Sequence, residues 1–126
     1  MRWTVAEAGP ADPDDAWEKY ADPDRWAEWS PQVRSVESSA PRLTAGMTGV
    51  VQGPPLVRVP FTVEAVDEAA RTWAWRVKVG PFKVRLRHEL LASAEGTVAT
   101  LTLDGPAPFV LPYAQLARVA LVRLVA

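Results

Sequence analysis

The sequence contains no cysteine and only one histidine among its 126 residues. The lack of cysteine excludes a disulfide scaffold, a thiol nucleophile, and zinc or iron–sulfur sites built on cysteine. A single histidine also excludes a metal site with several histidine ligands, so we expect no metal and no other cofactor. Neither sign of charge dominates, because 14 basic and 15 acidic side chains leave a net charge of -1. No overall field therefore favours nucleic acid or an anionic membrane as a partner.

Long uninterrupted apolar runs are also missing. The first ten residues contain no apolar segment typical of a secretory signal, so we expect a cytoplasmic protein. The stretch 106–126 comes nearest to membrane-like character, but Arg118 and Arg123 interrupt it. A bilayer span needs about 20 apolar residues with few charges, so we expect no membrane span.

The overall composition is typical of a globular protein, with 48% hydrophobic and 23% charged residues. A chain of this length is expected to fold around one hydrophobic core. The sequence therefore predicts that residues 1–126 form a single domain.

Two similar segments near the N-terminus indicate where helices begin. Asp12-Pro13 and Asp22-Pro23 each place a carboxylate that can cap a helix before proline, the residue favoured at the first helical position. After a first strand over Arg2–Glu7, they predict a helix over Pro13–Tyr20 and a short second helix over Pro23–Trp29.

From Gln32 to Asp104 the hydrophobic pattern has a period of two, which is typical of strands with one buried face. The segments between these strands have hairpin length and predict an antiparallel meander. A final helix is predicted from about Pro112, and it is the only long element left to cover the sheet. The predicted strands are Gln32–Ser38, Thr48–Gln52, Val57–Val66, Arg71–Val79, Phe82–Ala92 and Thr97–Asp104.

The turn at Gly80-Pro81 allows the pairing of two strands to be predicted. If Val79 pairs with Phe82, then His88 lies opposite Trp73 on the inner face. The same pairing places Leu86 opposite Trp75. On the preceding strand, the alternation predicts five inward side chains: Val57, Val59, Phe61, Val63 and Ala65.

The segment Trp26-Ala-Glu-Trp29-Ser-Pro31-Gln-Val33 follows an Asp-Pro helix start. With the element order, it resembles small bacterial members of the START-like (SRPBCC) superfamily of polyketide cyclases and dehydrases. The resemblance implies an α+β helix-grip fold. This fold has a curved antiparallel sheet of six to seven strands. Two short helices follow the first strand in the chain, and a C-terminal helix lies over the concave face of the sheet. The resemblance further implies a cavity for hydrophobic ligands such as lipids or polyketides. In the family, the last helix usually extends well beyond the position of Ala126.

We therefore expect the protein to bind or carry a small hydrophobic molecule between the sheet and the last helix. Apolar burial of about 25 cal/mol per Å² can supply micromolar affinity without a catalytic residue. The candidate ligand-binding residues are Phe61, Trp73, Trp75, Leu86, His88, Leu101 and Tyr113.

An alternative hypothesis is a cyclase or aromatase in which His88 is the catalytic acid or base. Histidine is the side chain whose ordinary pKa lies near neutrality, and Tyr113 could bring a hydroxyl to the same cavity. The competing interpretation makes His88 a buried structural residue with a hydrogen-bond partner.

Two kinds of macromolecular contact are also predicted. The outer face of the sheet pairs Lys78 with Lys83 and Arg76 with Arg85, which suggests a protein-interaction module as a third hypothesis. The last helix, ~22 Å long if it begins at Pro112, is too short to cover the longest strand and is apolar nearly all round. This pattern predicts a homodimer through that helix.

Overall fold

A computed structural model describes residues 1–54 and 56–126, and within them seven strands form one antiparallel sheet in the order β1-β7-β6-β5-β4-β3-β2. Three helices accompany the sheet, which confirms the predicted α+β helix-grip fold. The strands are β1 (Arg2–Gly9), β2 (Ser35–Ser38), β3 (Thr48–Gly53), β4 (Val57–Asp67), β5 (Thr72–Val79), β6 (Phe82–Ser93) and β7 (Gly96–Asp104). The helices are α1 (Pro13–Ala21), α2 (Trp26–Trp29) and α3 (Ala107–Leu124).

Both predicted Asp-Pro helix starts are confirmed. The carboxylate of Asp12 accepts a hydrogen bond from the backbone N–H of Asp14 at 2.9 Å, and α1 begins at Pro13. Asp22 accepts in the same way from Asp24 at 3.0 Å. The second segment does not form one continuous helix, because a 3₁₀ turn over Pro23–Arg25 precedes α2.

The predicted pairing of β5 with β6 is also confirmed. Val79 lies opposite Phe82 across the turn, Trp73 lies opposite His88, and Trp75 lies opposite Leu86. A two-residue turn fixes the register of a hairpin, and side chains on directly paired residues share one face of the sheet.

The predicted alternation along β4 is wrong after Val63. Glu64 is an extra residue in the pairing with β5, so that Val63 lies opposite Trp75 while Ala65 lies opposite Ala74. This β-bulge turns the exposed Ala65 to the outer face and brings Val66 onto the inner face. Bulges increase the local twist of a sheet, and this one bends β4 around the core.

The last helix begins earlier than predicted, at Ala107 instead of Pro112. Pro108 lies in the first turn of the helix, where a backbone N–H would have no helical acceptor, so the proline costs no hydrogen bond there. Pro112 is the sixth residue and forfeits one backbone hydrogen bond, but the helix continues because Val110 is fully buried and Phe109 stacks on Tyr113 at 5.3 Å. With 18 residues, α3 is ~27 Å long.

The position of α3 leaves part of the sheet uncovered. The helix packs against β1 and β7, at one edge of the sheet. Its C-terminal end is held where the carbonyl of Val125 accepts a hydrogen bond from the N–H of Ala11 at 3.0 Å. Gly9 also lies so close to Val125 that a Cβ atom on it would collide with that carbonyl. The inner face of the strands beyond β7 is therefore free to border a cavity.

Membrane crossing by a helix is not indicated. None of the helices in residues 1–54 and 56–126 is both long and apolar enough to span a bilayer.

Candidate functional site

A cavity of about 250 Å³ lies between the inner face of the sheet, α2 and α3. Its wall is almost entirely apolar and includes no lysine, arginine, aspartate or glutamate among the described residues. The residues lining it are Trp26, Trp29, Ser30, Gln32, Val33, Val51, Gly53, Pro54, Val57, Val59, Trp73, Trp75, Val77, Val79, Leu86, His88, Leu101, Phe109, Tyr113, Leu116, Ala117, Ala120 and Leu121.

The cavity reaches the surface beside the connection between β3 and β4. Pro54, directly after β3, and Val57, the first residue of β4, line the cavity and are exposed, and so is Leu116 on α3. The inner end of the cavity is formed by buried residues such as Trp73 and Leu101. A ligand entering at this mouth would meet only apolar side chains at the rim.

Six of the seven sequence-predicted ligand-binding residues line this cavity, and one does not. Phe61 is buried behind the wall, where its ring lies 5.7 Å from that of Trp26 and 5.4 Å from that of Trp75. Its ring also packs against Gly49 on the neighbouring strand. Phe61 faces inward as predicted, but Trp26 covers it. The residues found in the wall are Trp73, Trp75, Leu86, His88, Leu101 and Tyr113.

Sequence reasoning missed other wall residues for identifiable reasons. A helix that begins at Pro112, as the sequence predicts, does not include Phe109. In the structure Phe109 lies in the first turn of α3. The alternation predicts a strand at Gln32, whereas this residue lies in the loop before β2. Trp26 packs α2 against Trp73 and Trp75 of the sheet, and both Trp26 and Trp29 also form part of the wall.

The wall near α2 is held rigidly by two indole groups. The indole N–H of Trp26 donates to the backbone carbonyl of Tyr20 at 2.8 Å, and that of Trp29 donates to the carbonyl of Lys19 at 3.0 Å. The ring of Trp26 contacts those of Trp73 and Trp75 at 5.6 and 5.3 Å. These contacts connect α1, α2 and the sheet, so the wall is largely formed before any ligand binds.

His88 is buried at the inner end of the cavity and is bonded through both ring nitrogens. Its Nε2 atom accepts from the indole N–H of Trp75 at 2.9 Å, and its Nδ1 atom lies 3.1 Å from the hydroxyl of Tyr20. The ring stacks on that of Trp73, with centroids 4.4 Å apart and planes 8° apart.

These contacts define the protonation of His88. An indole N–H can only donate, so Nε2 carries no proton, and the neutral ring must be protonated on Nδ1 and donate to Tyr20. Burial lowers the pKa of His88 to about 3, because the charged form would lose its hydration. The same burial raises the pKa of Tyr20 above its ordinary value, so both groups are neutral near pH 7.

A second polar pair lies in the wall between α2 and α3. The amide nitrogen of Gln32 donates to the hydroxyl of Tyr113 at 3.1 Å. Burial raises the pKa of Tyr113, while the hydrogen bond from Gln32 opposes that rise. The Oε1 atom of Gln32 is buried and has no partner among the described residues, and the same holds for the indole nitrogen of Trp73.

The outer face of the sheet shows the predicted basic pairs. Lys78 lies opposite Lys83, and Arg76 lies opposite Arg85. The bulged residue Glu64 reduces the repulsion, since its carboxylate lies 3.7 Å from Arg76 and 3.5 Å from Arg85.

In the described part of the chain, no group of three or more histidine or acidic side chains could hold a metal ion.

Comparison with known proteins places these features in a family. The family model described as "Polyketide cyclase / dehydrase and lipid transport" matches residues 3–125. No curated protein matches the sequence.

Solved structures resemble the chain over nearly its whole length. The crystal structure of Ara h 8.0201 has a TM-score of 0.79 at 16% identity and covers 98% of this chain and 94% of that one. A protein from Nitrosospira multiformis has a TM-score of 0.82 at 14% identity, covering 99% and 94%. Ginseng major latex-like protein 151 from Panax ginseng has a TM-score of 0.82 at 12% identity, covering 98% and 94%. At these identities the likeness establishes the fold.

Proposed function

The chain belongs to the polyketide cyclase/dehydrase and lipid transport family, and on this basis we propose that it binds a small hydrophobic molecule in the cavity between sheet and α3. The observation that carries the proposal is the wall itself, which is apolar, rigid and free of charged side chains. Pockets of this kind are typical of sites for small apolar ligands.

The cavity size limits the ligand. An apolar cavity of about 150 Å³ holds benzene, so a cavity of about 250 Å³ suits a molecule of one or two rings. A tryptophan-sized group buries up to about 250 Å². At about 25 cal/mol per Å² this contributes about 6 kcal/mol, which corresponds to a Kd of the order of tens of micromolar.

The geometry of His88 supports binding over catalysis. A general base needs a free lone pair within reach of the substrate, but Nε2 of His88 already accepts from Trp75. Its Nδ1–H is directed at Tyr20, which is absent from the cavity wall. The cyclase or aromatase hypothesis based on His88 is therefore the less favoured function.

Binding can be tested with the fluorescent two-ring probe 1-naphthylamine, which is neutral at pH 7. Ala120 is buried and lines the cavity on α3, so Ala120→Leu places a larger apolar side chain in the cavity. We expect saturable 1:1 binding by the unmodified protein and a loss of at least tenfold in affinity for Ala120→Leu. The matched control is Gln115→Leu, on the exposed side of the same helix, which should bind normally. Absence of binding, or equal binding by Ala120→Leu, would contradict the proposal.

Three sequence-based expectations remain proposals. We propose a cytoplasmic location and self-association through α3, on which Leu111, Leu116, Val119 and Val122 are 44–50% exposed. An interaction through the basic outer face is a weaker hypothesis, since Glu64 already offsets part of that charge.

A further inference from the structure

Gln32 and Tyr113 form a polar pair in an otherwise apolar wall. They come from two different elements, since Gln32 lies in the loop after α2 and Tyr113 lies on α3. Both residues line the cavity, and the 3.1 Å hydrogen bond between them joins two parts of the chain that are 81 residues apart.

This pair has unused hydrogen-bonding capacity on both residues. The amide oxygen of Gln32 is buried without a partner in the described residues. The Tyr113 hydroxyl accepts from Gln32, and its own hydrogen has no acceptor among the described residues. A buried polar atom without a partner is unfavourable, and a ligand that supplies the missing partner would remove that cost.

One functional group satisfies both residues at once. A hydroxyl can donate to the amide oxygen of Gln32 and accept from the hydroxyl of Tyr113. If the amide turned by 180°, Tyr113 would donate to its oxygen and the amide nitrogen would need an acceptor, which a hydroxyl also provides. A carbonyl could only accept, so it would leave the Gln32 oxygen unpaired in the observed orientation of the amide. A hydroxyl is therefore the group that fits either orientation.

Other polar groups fit the cavity poorly. A carboxylate or phosphate would bring a negative charge into a wall with no lysine or arginine among the described residues, and the His88 in that wall is neutral. Burial of an unpaired charge is strongly unfavourable. A long acyl chain would exceed the volume of about 250 Å³. The aromatic rings of Trp26, Trp75 and Phe109 in the wall favour a flat, unsaturated skeleton.

From this geometry we infer that the ligand is a neutral one- or two-ring molecule with a hydroxyl group, a phenol or a compact ring alcohol, and that Gln32 and Tyr113 recognise the hydroxyl. The inference rests on the proposed binding function and specifies its ligand class. Gln32 and Tyr113 thus determine specificity, while the apolar wall supplies most of the affinity.

The test compares two probes of equal shape, 2-naphthol and 2-methylnaphthalene, which differ by a hydroxyl in place of a methyl group. Their affinities are measured by calorimetry or tryptophan quenching at pH 7. The unmodified protein should bind 2-naphthol at least tenfold more tightly than 2-methylnaphthalene. Gln32→Met and Tyr113→Phe should each reduce this ratio at least fivefold, without weakening 2-methylnaphthalene. The charged analogue 2-naphthoate should bind more weakly than either.

The matched control is Gln115→Met, which removes an amide from the exposed side of α3 and should keep the full preference. The readout is a ratio of two affinities measured on the same variant, so partial unfolding of a variant cancels from it.

The possible failures are distinguishable. Equal affinity of the unmodified protein for the two naphthalenes, or a preference that survives both substitutions, would overturn hydroxyl recognition and leave the proposed binding function intact. If none of 2-naphthol, 2-methylnaphthalene and 1-naphthylamine binds, the proposed binding function itself is wrong.

Discussion

The indole N–H of Trp75 donates to Nε2 of His88 at 2.9 Å, along a diagonal between two strands of the sheet. The two residues are not directly paired, since Trp75 lies opposite Leu86 and His88 lies opposite Trp73. This hydrogen bond holds His88 in one tautomer. It also occupies the lone pair on Nε2 that His88 would need to act as a general base. This relationship is the main structural reason to favour the proposed binding function over catalysis by His88.

The buried His88 should make stability depend on pH. Its pKa is about 3 in the folded state, against an ordinary value of 6.5, so the unfolded chain binds the proton more readily. The free energy of unfolding is therefore highest above about pH 6.5. It decreases by about 1.4 kcal/mol per pH unit as the pH is lowered from there toward 3. Between pH 6.5 and 5, where His88 is the only side chain with an ordinary pKa in range, urea unfolding should show a loss of about 2 kcal/mol.

His88→Gln is the control for this pH dependence, because glutamine stays neutral throughout. Its unfolding free energy should be nearly constant from pH 6.5 to 5, whatever its absolute value. If the unmodified protein shows the same flat profile, His88 is not held neutral in the folded state.

Trp75→Phe should destabilise the protein by about 1–3 kcal/mol, because the change leaves Nε2 of His88 buried without a donor. In a His88→Phe background the indole N–H of Trp75 already lacks that acceptor, so the same substitution should cost much less. Urea denaturation of the two single variants and the double variant measures the coupling between the two residues. Additive costs would show that the hydrogen bond contributes nothing to stability.

Gly9→Ala should be more destabilising than Gly46→Ala. A Cβ on Gly9 would collide with the carbonyl of Val125 and displace the C-terminal end of α3. A Cβ on Gly46 meets open space, and only its backbone φ of 84° opposes a side chain, at a cost of about 1–2 kcal/mol. Thermal unfolding should therefore give a larger decrease in Tm for Gly9→Ala, and the reverse order would argue against close docking of α3 on β1.

The homodimer prediction depends on the exposed side of α3. Val119 and Val122 are 44% and 50% exposed, and an apolar strip of this kind can be covered by a second copy of the chain. Light scattering at micromolar concentration should give the mass of a dimer, and Val119→Lys or Val122→Lys should convert it to a monomer. A monomeric mass for the unmodified protein would exclude self-association through this face.

Local chemistry was sufficient to predict much of this fold. The Asp-Pro pairs determine where α1 and the following 3₁₀ turn begin, because the capping carboxylate and the proline act within one turn. The Gly80-Pro81 turn determines that His88 lies opposite Trp73, because a two-residue loop permits one register. The same alternation predicts that the apolar side chains of these strands and the side chain of His88 lie on the inner face.

The details that shape the candidate site depend on the tertiary structure and could not be predicted from the sequence. The bulge at Glu64, the continuation of α3 through Pro112 and the covering of Phe61 by Trp26 each depend on packing between distant segments. The pairing of Gln32 with Tyr113 depends on the same packing, since a loop and a helix meet there across 81 residues of chain. Periodicity shows which side of an element is buried. Whether a buried side chain fills the core or borders a cavity depends on what the rest of the chain places against it.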